Sequence, residues 1–297
     1  MILGIDASNI RVGGGITHLV EFLGVAKPQE HGFEKIILWG NSKTLSRVEE
    51  RDWLIKDPHP ILNKNLIYRA FWQKFILTKV AKTNKCSIVF IPGGSYAGEF
   101  HPIVAMSRNM LPFEWRELLR YGWSLQVVKM ILLRLVQTYT FRKADGVIFL
   151  TEYAKSSVNA VLKLNERKSI IIPHGINKRF KSTPKPQKPI EEYSILKPYR
   201  ILYVSIIEMY KHQWNVAEAV MNLRNMGFPV ILELVGASYG PALKKLDKVL
   251  LKANSECKVV DYLGAVQHSE LHKLYLDADL CVFASSCENM PNILLEG

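Results

Sequence analysis

Near the end of the 297-residue sequence, Glu288 and Glu296 stand seven residues apart. An ionised carboxylate is a pure acceptor with two oxygens, suited to gripping the vicinal hydroxyls of a ribose or a hexose. Lys211 ends the stretch Val204-Ser-Ile-Ile-Glu-Met-Tyr-Lys211. A cation at such a strand exit can neutralise the charge on a departing diphosphate, which is electrostatic transition-state stabilisation. A solvated surface lysine is the bland alternative. Gly13, Gly14 and Gly15 let the backbone approach a ligand, and the helix opening behind them offers unpaired N–H groups to an anion. A flexible strand–helix turn explains the same glycines. They form no dinucleotide fingerprint, because His18 occupies the place of its third glycine, and no GK[ST] of a P-loop follows. His174, in Pro173-His-Gly-Ile176, can hydrogen-bond a ligand or titrate near neutrality. Arg108 can hold a phosphate bidentately. An incidental histidine in a capped turn and a surface ion pair are the competing explanations for these two.

These residues need elements to position them. Short β-rich apolar runs alternate with helix-period segments, which predicts α/β layers around parallel sheets. Strands are expected over 2–6, 35–39, 87–91, 103–107, 146–150 and 169–172, with helices over 17–23, 68–83, 115–139 and 152–162. A Pro- and Lys-rich stretch over 181–189 lacks apolar periodicity and reads as a semi-rigid linker. The alternation then restarts, with strands over 200–205, 230–235 and 259–262 and helices over 213–226, 241–253 and 270–276. Two domains are expected, 1–185 and 186–297. The apolar run 280–284 reads as a buried strand, followed by Ser285 and Ser286, a polar turn and a helix opening near Pro291. In an open parallel sheet the crevice beyond the strand C-termini takes the ligand, which puts Glu288 in the crevice.

Composition narrows the classes. Hydrophobic content of 48% and charged content of 22% are those of a soluble globular protein. Cys86, Cys257, Cys281 and Cys287 show neither CxxC nor metal-ligand spacing, and no secretory h-region opens the chain, so a reduced cytosolic compartment is expected. The net charge of +12 calls for an anionic partner. In the segment 115–143, Arg116, Arg120, Lys129, Arg134, Arg142 and Lys143 are interleaved with Trp and Leu, as on helices that lie on an anionic membrane. An internal helix with a solvated basic face is the alternative. Nucleic acid is not expected, for no recognition-helix, zinc-knuckle or RNP pattern accompanies the charge.

Taken in order, Phe149-Leu-Thr151, Ile172-Pro-His-Gly-Ile176, Leu202-Tyr-Val-Ser205, Leu234-Val-Gly236, Tyr262-Leu-Gly264, Leu274-Tyr-Leu-Asp-Ala-Asp279 and the Glu288–Glu296 pair form a series. It resembles the retaining nucleotide-sugar glycosyltransferases of the GT-B fold (family 4, group 1). The resemblance covers 145–297 well and the first 140 residues only through the glycine loop. It implies two Rossmann-like domains facing across a cleft, and transfer of a hexose from a nucleoside-diphosphate sugar to a saccharide or lipid-linked acceptor in cell-surface polysaccharide synthesis. By resemblance Glu296 holds the donor ribose, Glu288 the donor sugar and Lys211 the diphosphate. Asn289, Met290, Pro291, Asn292 and Ile293 form the segment whose amides help hold the sugar hydroxyls. Gly14 and Gly15 match the loop approaching phosphate or acceptor. No metal or other cofactor is implied, and the protein is expected in the cytoplasm, peripheral on the inner face of the membrane.

The sequence departs from the pattern at three places. Ile206 stands where the family places an arginine, His212 replaces a glycine after the lysine, and Asn289-Met-Pro291 replaces a glycine-rich turn. Relatives continue for about half a domain past the second glutamate, so a C-terminally truncated chain with an incomplete second domain, low stability and uncertain activity is expected. A non-catalytic sugar-nucleotide- or glycan-binding remnant and a GT-B epimerase are the alternatives to a transferase.

Overall fold

The computed structural model describes residues 1–11, 13–165, 168–253 and 258–297, so Cys257 lies outside the described residues. The chain divides into two units, Met1–Trp115 with Trp123–His174, and Arg116–Gly122 with Gly175–Gly297.

In the first unit, strands β1 (Ile2–Asp6), β2 (Lys35–Trp39), β3 (Leu54–Asp57), β4 (Ile88–Ile91), β5 (Ile103–Met106), β6 (Gly146–Phe149) and β7 (Ser169–Ile171) make one parallel sheet in the order β3-β2-β1-β4-β5-β6-β7. Order reverses between β1 and β4, which is where such a sheet opens a crevice. Strand β3 was not expected: four residues ending in Lys56 and Asp57 at a sheet edge carry too little apolar pattern to announce themselves. Helices α1 (Gly14–Val25), α2 (Ser42–Leu45), α3 (Leu66–Phe71), α4 (Thr78–Thr83), α5 (Trp115–Leu119), α6 (Leu125–Lys143) and α7 (Glu152–Leu162) connect the strands, α5 from Arg116 onward belonging to the second unit. Ile5, Leu19, Leu23, Ile36 and Leu38 pack α1 against the sheet. Thr151 caps α7 by accepting from Ala154 N at 3.1 Å, a bond of about 1 kcal/mol.

Two expected helices are interrupted. Between α3 and α4 the chain winds as a π-helix over Trp72–Leu77. The helix expected over 115–139 is broken into α5 and α6 at Gly122, whose φ of 58° lies in the left-handed region and ends the first piece.

The second unit carries β8 (Tyr199–Val204), β9 (Val230–Val235), β10 (Val260–Gly264) and β11 (Leu280–Cys281), all parallel, in the order β10-β9-β8-β11. Helices α8 (Gln213–Asn225), α9 (Gly240–Ala253), α10 (Leu271–Asp277) and α11 (Asn292–Glu296) belong to it. The strand expected to be buried over 280–284 is only two residues long, and Leu280 is 48% exposed. Among the described residues it pairs with β8 alone and forms the sheet edge. The Pro- and Lys-rich stretch is fastened to this unit: Lys185 Nζ lies 2.7 Å from Asp279 Oδ1, and Gln187 donates to Asp279 O at 2.7 Å.

Candidate functional site

In the second unit, order reverses between β8 and β11, and the segments leaving the C-terminal ends of these two strands carry Lys211 and Glu288. Their proximity follows from the fold. Tyr203 on β8 is fully buried; its hydroxyl donates to Lys211 O at 2.6 Å and accepts from Ala284 N at 3.3 Å, tying the two segments together. Ser286 N donates to Tyr210 O at 2.9 Å and adds a second tie.

Lys211 is buried, not the solvated lysine of the bland reading, and its ammonium pairs directly with Glu288 Oε1. The ammonium also lies 4.9 Å from the centroid of the Phe283 ring and 5.3 Å from that of Tyr210. Aromatic faces and one carboxylate thus replace water around the charge, an arrangement in which a cation acts strongly on a nearby anion. Glu288 Oε1 also accepts from Ser285 Oγ at 2.6 Å, which fixes the carboxylate without neutralising it. His212 follows in a left-handed conformation with φ of 55°, which explains why glycine suits that place. Its Nε2 lies 2.8 Å from Ser286 Oγ, and that hydroxyl donates to Glu117 Oε2 at 2.6 Å. Arg120 Nε donates to the same Glu117 oxygen at 2.6 Å. Burial raises the Glu117 carboxyl, but the hydrogen bonds from Arg120 and Ser286 outweigh it and hold the group below the usual range.

Glu296 has a separate partner. Its side chain is 7% exposed, and Oε1 lies 2.8 Å from His268 Nε2, whose ring packs 5.3 Å from that of Phe180. Glu296, Tyr275, Ile293, Phe180 and Lys185 line a groove of about 460 Å³, of which Lys211 and Glu288 are not lining residues. Ile293 packs onto the core formed by Leu202, Val204 and Val235. Pro291 precedes α11, and the Asn292 Oδ1 atom is buried without a hydrogen-bond partner. Asn289 and Met290 lie on the segment between Glu288 and that helix.

The first unit gathers the other expected residues. Gly13, with φ of 64°, precedes the first turn of α1, a conformation that glycine adopts without strain. Arg108 donates from Nη2 to Gly14 O at 2.8 Å and from Nη1 to Gly15 O at 3.4 Å, so it holds the glycine loop in place of a surface carboxylate. Burial lowers its pKa to about 10. His174 packs against His18, their ring centroids 4.7 Å apart. Burial, Arg108 and His174 lower the pKa of His18 to about 3; burial and Arg108 lower that of His174 to about 4. Two neutral imidazoles and one guanidinium therefore stand together beside the start of α1 at neutral pH.

Sequence reasoning gave no role to His18, His268, Ser285 or Glu117. His18 was legible: it lies one helical turn beyond Gly14 and hence on the same face. Glu117 was not, because 169 residues separate it from Ser286. Among the described residues no group of three or more His, Cys, Asp or Glu is arranged to hold a metal ion.

Residues 186–297 match the family model described as glycosyl transferases group 1. No curated protein matches the sequence. Solved structures match nearly the whole chain. Sucrose-phosphate synthase from Thermosynechococcus elongatus is 14% identical with a TM-score of 0.68, over 100% of this chain and 78% of its own. Anabaena Alr3699/HepE in complex with UDP-glucose is 14% identical with a TM-score of 0.66, over 100% and 77%. The lipopolysaccharide outer core galactosyltransferase WaaB is 13% identical with a TM-score of 0.60, over 100% and 77%. The fold is GT-B, two α/β units each built on a parallel sheet, and the residues that match the glycosyl transferases group 1 model lie in the second unit.

Proposed function

We propose that the protein is a retaining hexosyltransferase that uses a nucleoside-diphosphate sugar and glycosylates a hydroxyl of a saccharide or lipid-linked acceptor. Its role is cell-surface polysaccharide synthesis at the cytoplasmic face of a membrane. The observation that supports this reading most is the pair of the buried Lys211 and the half-buried Glu288 beyond the ends of β8 and β11. In this reading Lys211 exchanges Glu288 for the donor diphosphate and stabilises the charge that develops as the sugar leaves. Glu288, held by Ser285, is then free to accept from the sugar hydroxyls. Glu296 accepts from the ribose hydroxyls, and the amides of 290–293 hold the sugar. The departing diphosphate takes the acceptor proton, so no protein base is required. Gly13, Gly14 and Gly15, with Arg108 and His174, bind phosphate or acceptor, and no metal takes part. The donor bound by Alr3699/HepE, UDP-glucose, is the first candidate.

A second reading, a protein that binds the sugar nucleotide without turnover, is favoured by Ile206, which is 47% exposed where a second diphosphate cation would stand. Incubating the protein with UDP-glucose and other nucleotide sugars, with calorimetry and release of the nucleoside diphosphate as readouts, separates the two. Turnover abolished by Lys211→Ala and by Glu288→Ala is expected. Turnover unchanged by both sinks the transferase assignment to this site, and tight binding with no turnover selects the second reading.

A further inference from the structure

Helix α6 leaves an apolar stripe exposed to water. Leu125, Val128, Leu132, Leu135 and Tyr139 recur at spacings of three and four, and all are exposed, Leu125 at 88%. Its buried side holds Met130 and Phe141 together with Gln137 and Thr140. Trp123, fully exposed, stands just before this stripe and Tyr139 closes its far end. A stripe of this period ordinarily turns toward a core. The stretch from α3 to α4 repeats the anomaly, with Ile67 at 77% exposed and Tyr68, Phe71 and Phe75 exposed along one side. The Phe71 and Phe75 rings pack against each other at a tilt, their centroids 4.9 Å apart.

The two surfaces meet around Glu99. Lys74 Nζ lies 2.6 Å from Glu99, while Lys143 donates to Gly98 O at 2.9 Å and sits 5.7 Å from the Tyr139 ring centroid. Charge then decides what covers them. Residues 64–83 contain Lys64, Arg69, Lys74, Lys79 and Lys82 and no acidic residue. Residues 123–143 contain Lys129, Arg134, Arg142 and Lys143, and again no acidic residue. Arg69 and Arg134 turn inward to backbone carbonyls, whereas Lys64, Lys79, Lys82, Lys129 and Arg142 are exposed.

We propose that α6 and the α3–α4 stretch together form a docking face for an anionic lipid bilayer, with the apolar stripe entering the acyl boundary and the lysines resting among the headgroups. An apolar stripe bordered by cations, with Trp and Tyr at its ends, fits that interface. A second copy of the chain would bring these cations against one another, with only Glu99, already paired to Lys74, as a carboxylate between the two surfaces. A nucleic acid would neutralise the lysines but leave Leu132 and Leu135 in water. Among the described residues no helix is long and apolar enough to cross a membrane, so α6 lies on the surface. This face gives the membrane partner of the proposed reading a location, and vesicle binding tests it independently of sugar transfer.

The test is co-sedimentation of the whole protein with vesicles of phosphatidylcholine alone or with about 30% phosphatidylglycerol. Retention on anionic vesicles is expected, falling at least about tenfold in 0.5 M salt or on neutral vesicles. Leu132→Ser with Leu135→Ser, and separately Lys79→Ser with Lys129→Ser, should each lower the partition about tenfold with an unchanged melting temperature. Both pairs are exposed, so the fold survives their loss. No binding by the parent protein, or binding indifferent to both variant pairs, overturns the proposal. So does concentration-dependent dimerisation abolished by the leucine pair, or binding to a duplex oligonucleotide that the leucine pair leaves intact.

Discussion

Lys211 and Glu288 form an ion pair across 77 residues of sequence, and each is held by a neighbour that carries no charge. Tyr203 anchors the Lys211 carbonyl and Ser285 anchors the Glu288 carboxylate. The pair is therefore fixed from both sides, and a ligand phosphate must compete with Glu288 for the ammonium. Breaking one side leaves a charge in a place with little water.

The first prediction follows from that competition. Glu288→Gln removes the counter-charge of a buried lysine and should lower stability by about 1–3 kcal/mol, discounted because the carboxylate is partly solvated. Lys211→Met with Glu288→Gln removes both charges and should recover part of the loss. Urea unfolding of the two single variants and the double variant gives the coupling. Additive losses would mean that the pair is not an interacting unit.

Ser286 bridges His212 and Glu117, so Ser286→Ala takes a partner from each. Burial lowers the His212 pKa, with Arg120 adding to that effect and Glu117 opposing it. A loss of about 1–2 kcal/mol is expected, with Ser286→Thr restoring most of it because the hydroxyl returns. Equal melting temperatures for parent, Ala and Thr proteins would remove this network from the account of the site.

Gly236 and Gly240 offer a paired comparison. Gly236 has φ of 147°, and a Cβ there would run into the Ser205 carbonyl. Gly236→Ala should cost more than about 3 kcal/mol by strain and by displacing the segment leaving β8. Gly240 opens α9, and a Cβ there meets nothing within 4 Å. Gly240→Ala should be neutral or stabilising by up to about 1 kcal/mol. Denaturation of the two variants side by side checks this, and similar losses in both would refute it.

The parallel sheets were legible because alternating apolar runs and helix-period segments impose them locally, and the order of motifs singled out Lys211 and Glu288, which the structure pairs. What escaped depended on distant partners. Nothing near Glu117 signals Ser286, and nothing near His268 signals Glu296. The break at Gly122 escaped because the apolar period continues through it. Leu280 and its neighbours read as buried because an apolar run does not say whether both sides of the strand are covered.

Acid should weaken the first unit through its buried histidines before the carboxylates that are held below their ordinary range respond. Burial holds His18 at about 3 and His174 at about 4, against an ordinary value of 6.5. Above pH 6.5 both rings are neutral folded or unfolded, and their full contribution is present. As pH falls from 6.5 toward 4, the unfolded chain takes up protons that the folded chain refuses, so stability declines by up to about 1.4 kcal/mol per pH unit for each ring. Asp145 in this unit, and Asp279 and Glu117 in the second, are held below the ordinary carboxylate range, burial being outweighed by His101, Arg200 and Arg120 respectively with their neighbours. Their contributions fade at lower pH than those of the histidines, which separates the two windows. Urea midpoints measured from pH 7.5 to 4.5 should fall for the parent protein and fall less steeply for His18→Leu. Parallel curves for the two would show that His18 is protonated as readily folded as unfolded, and that the pair beside Arg108 is not held neutral.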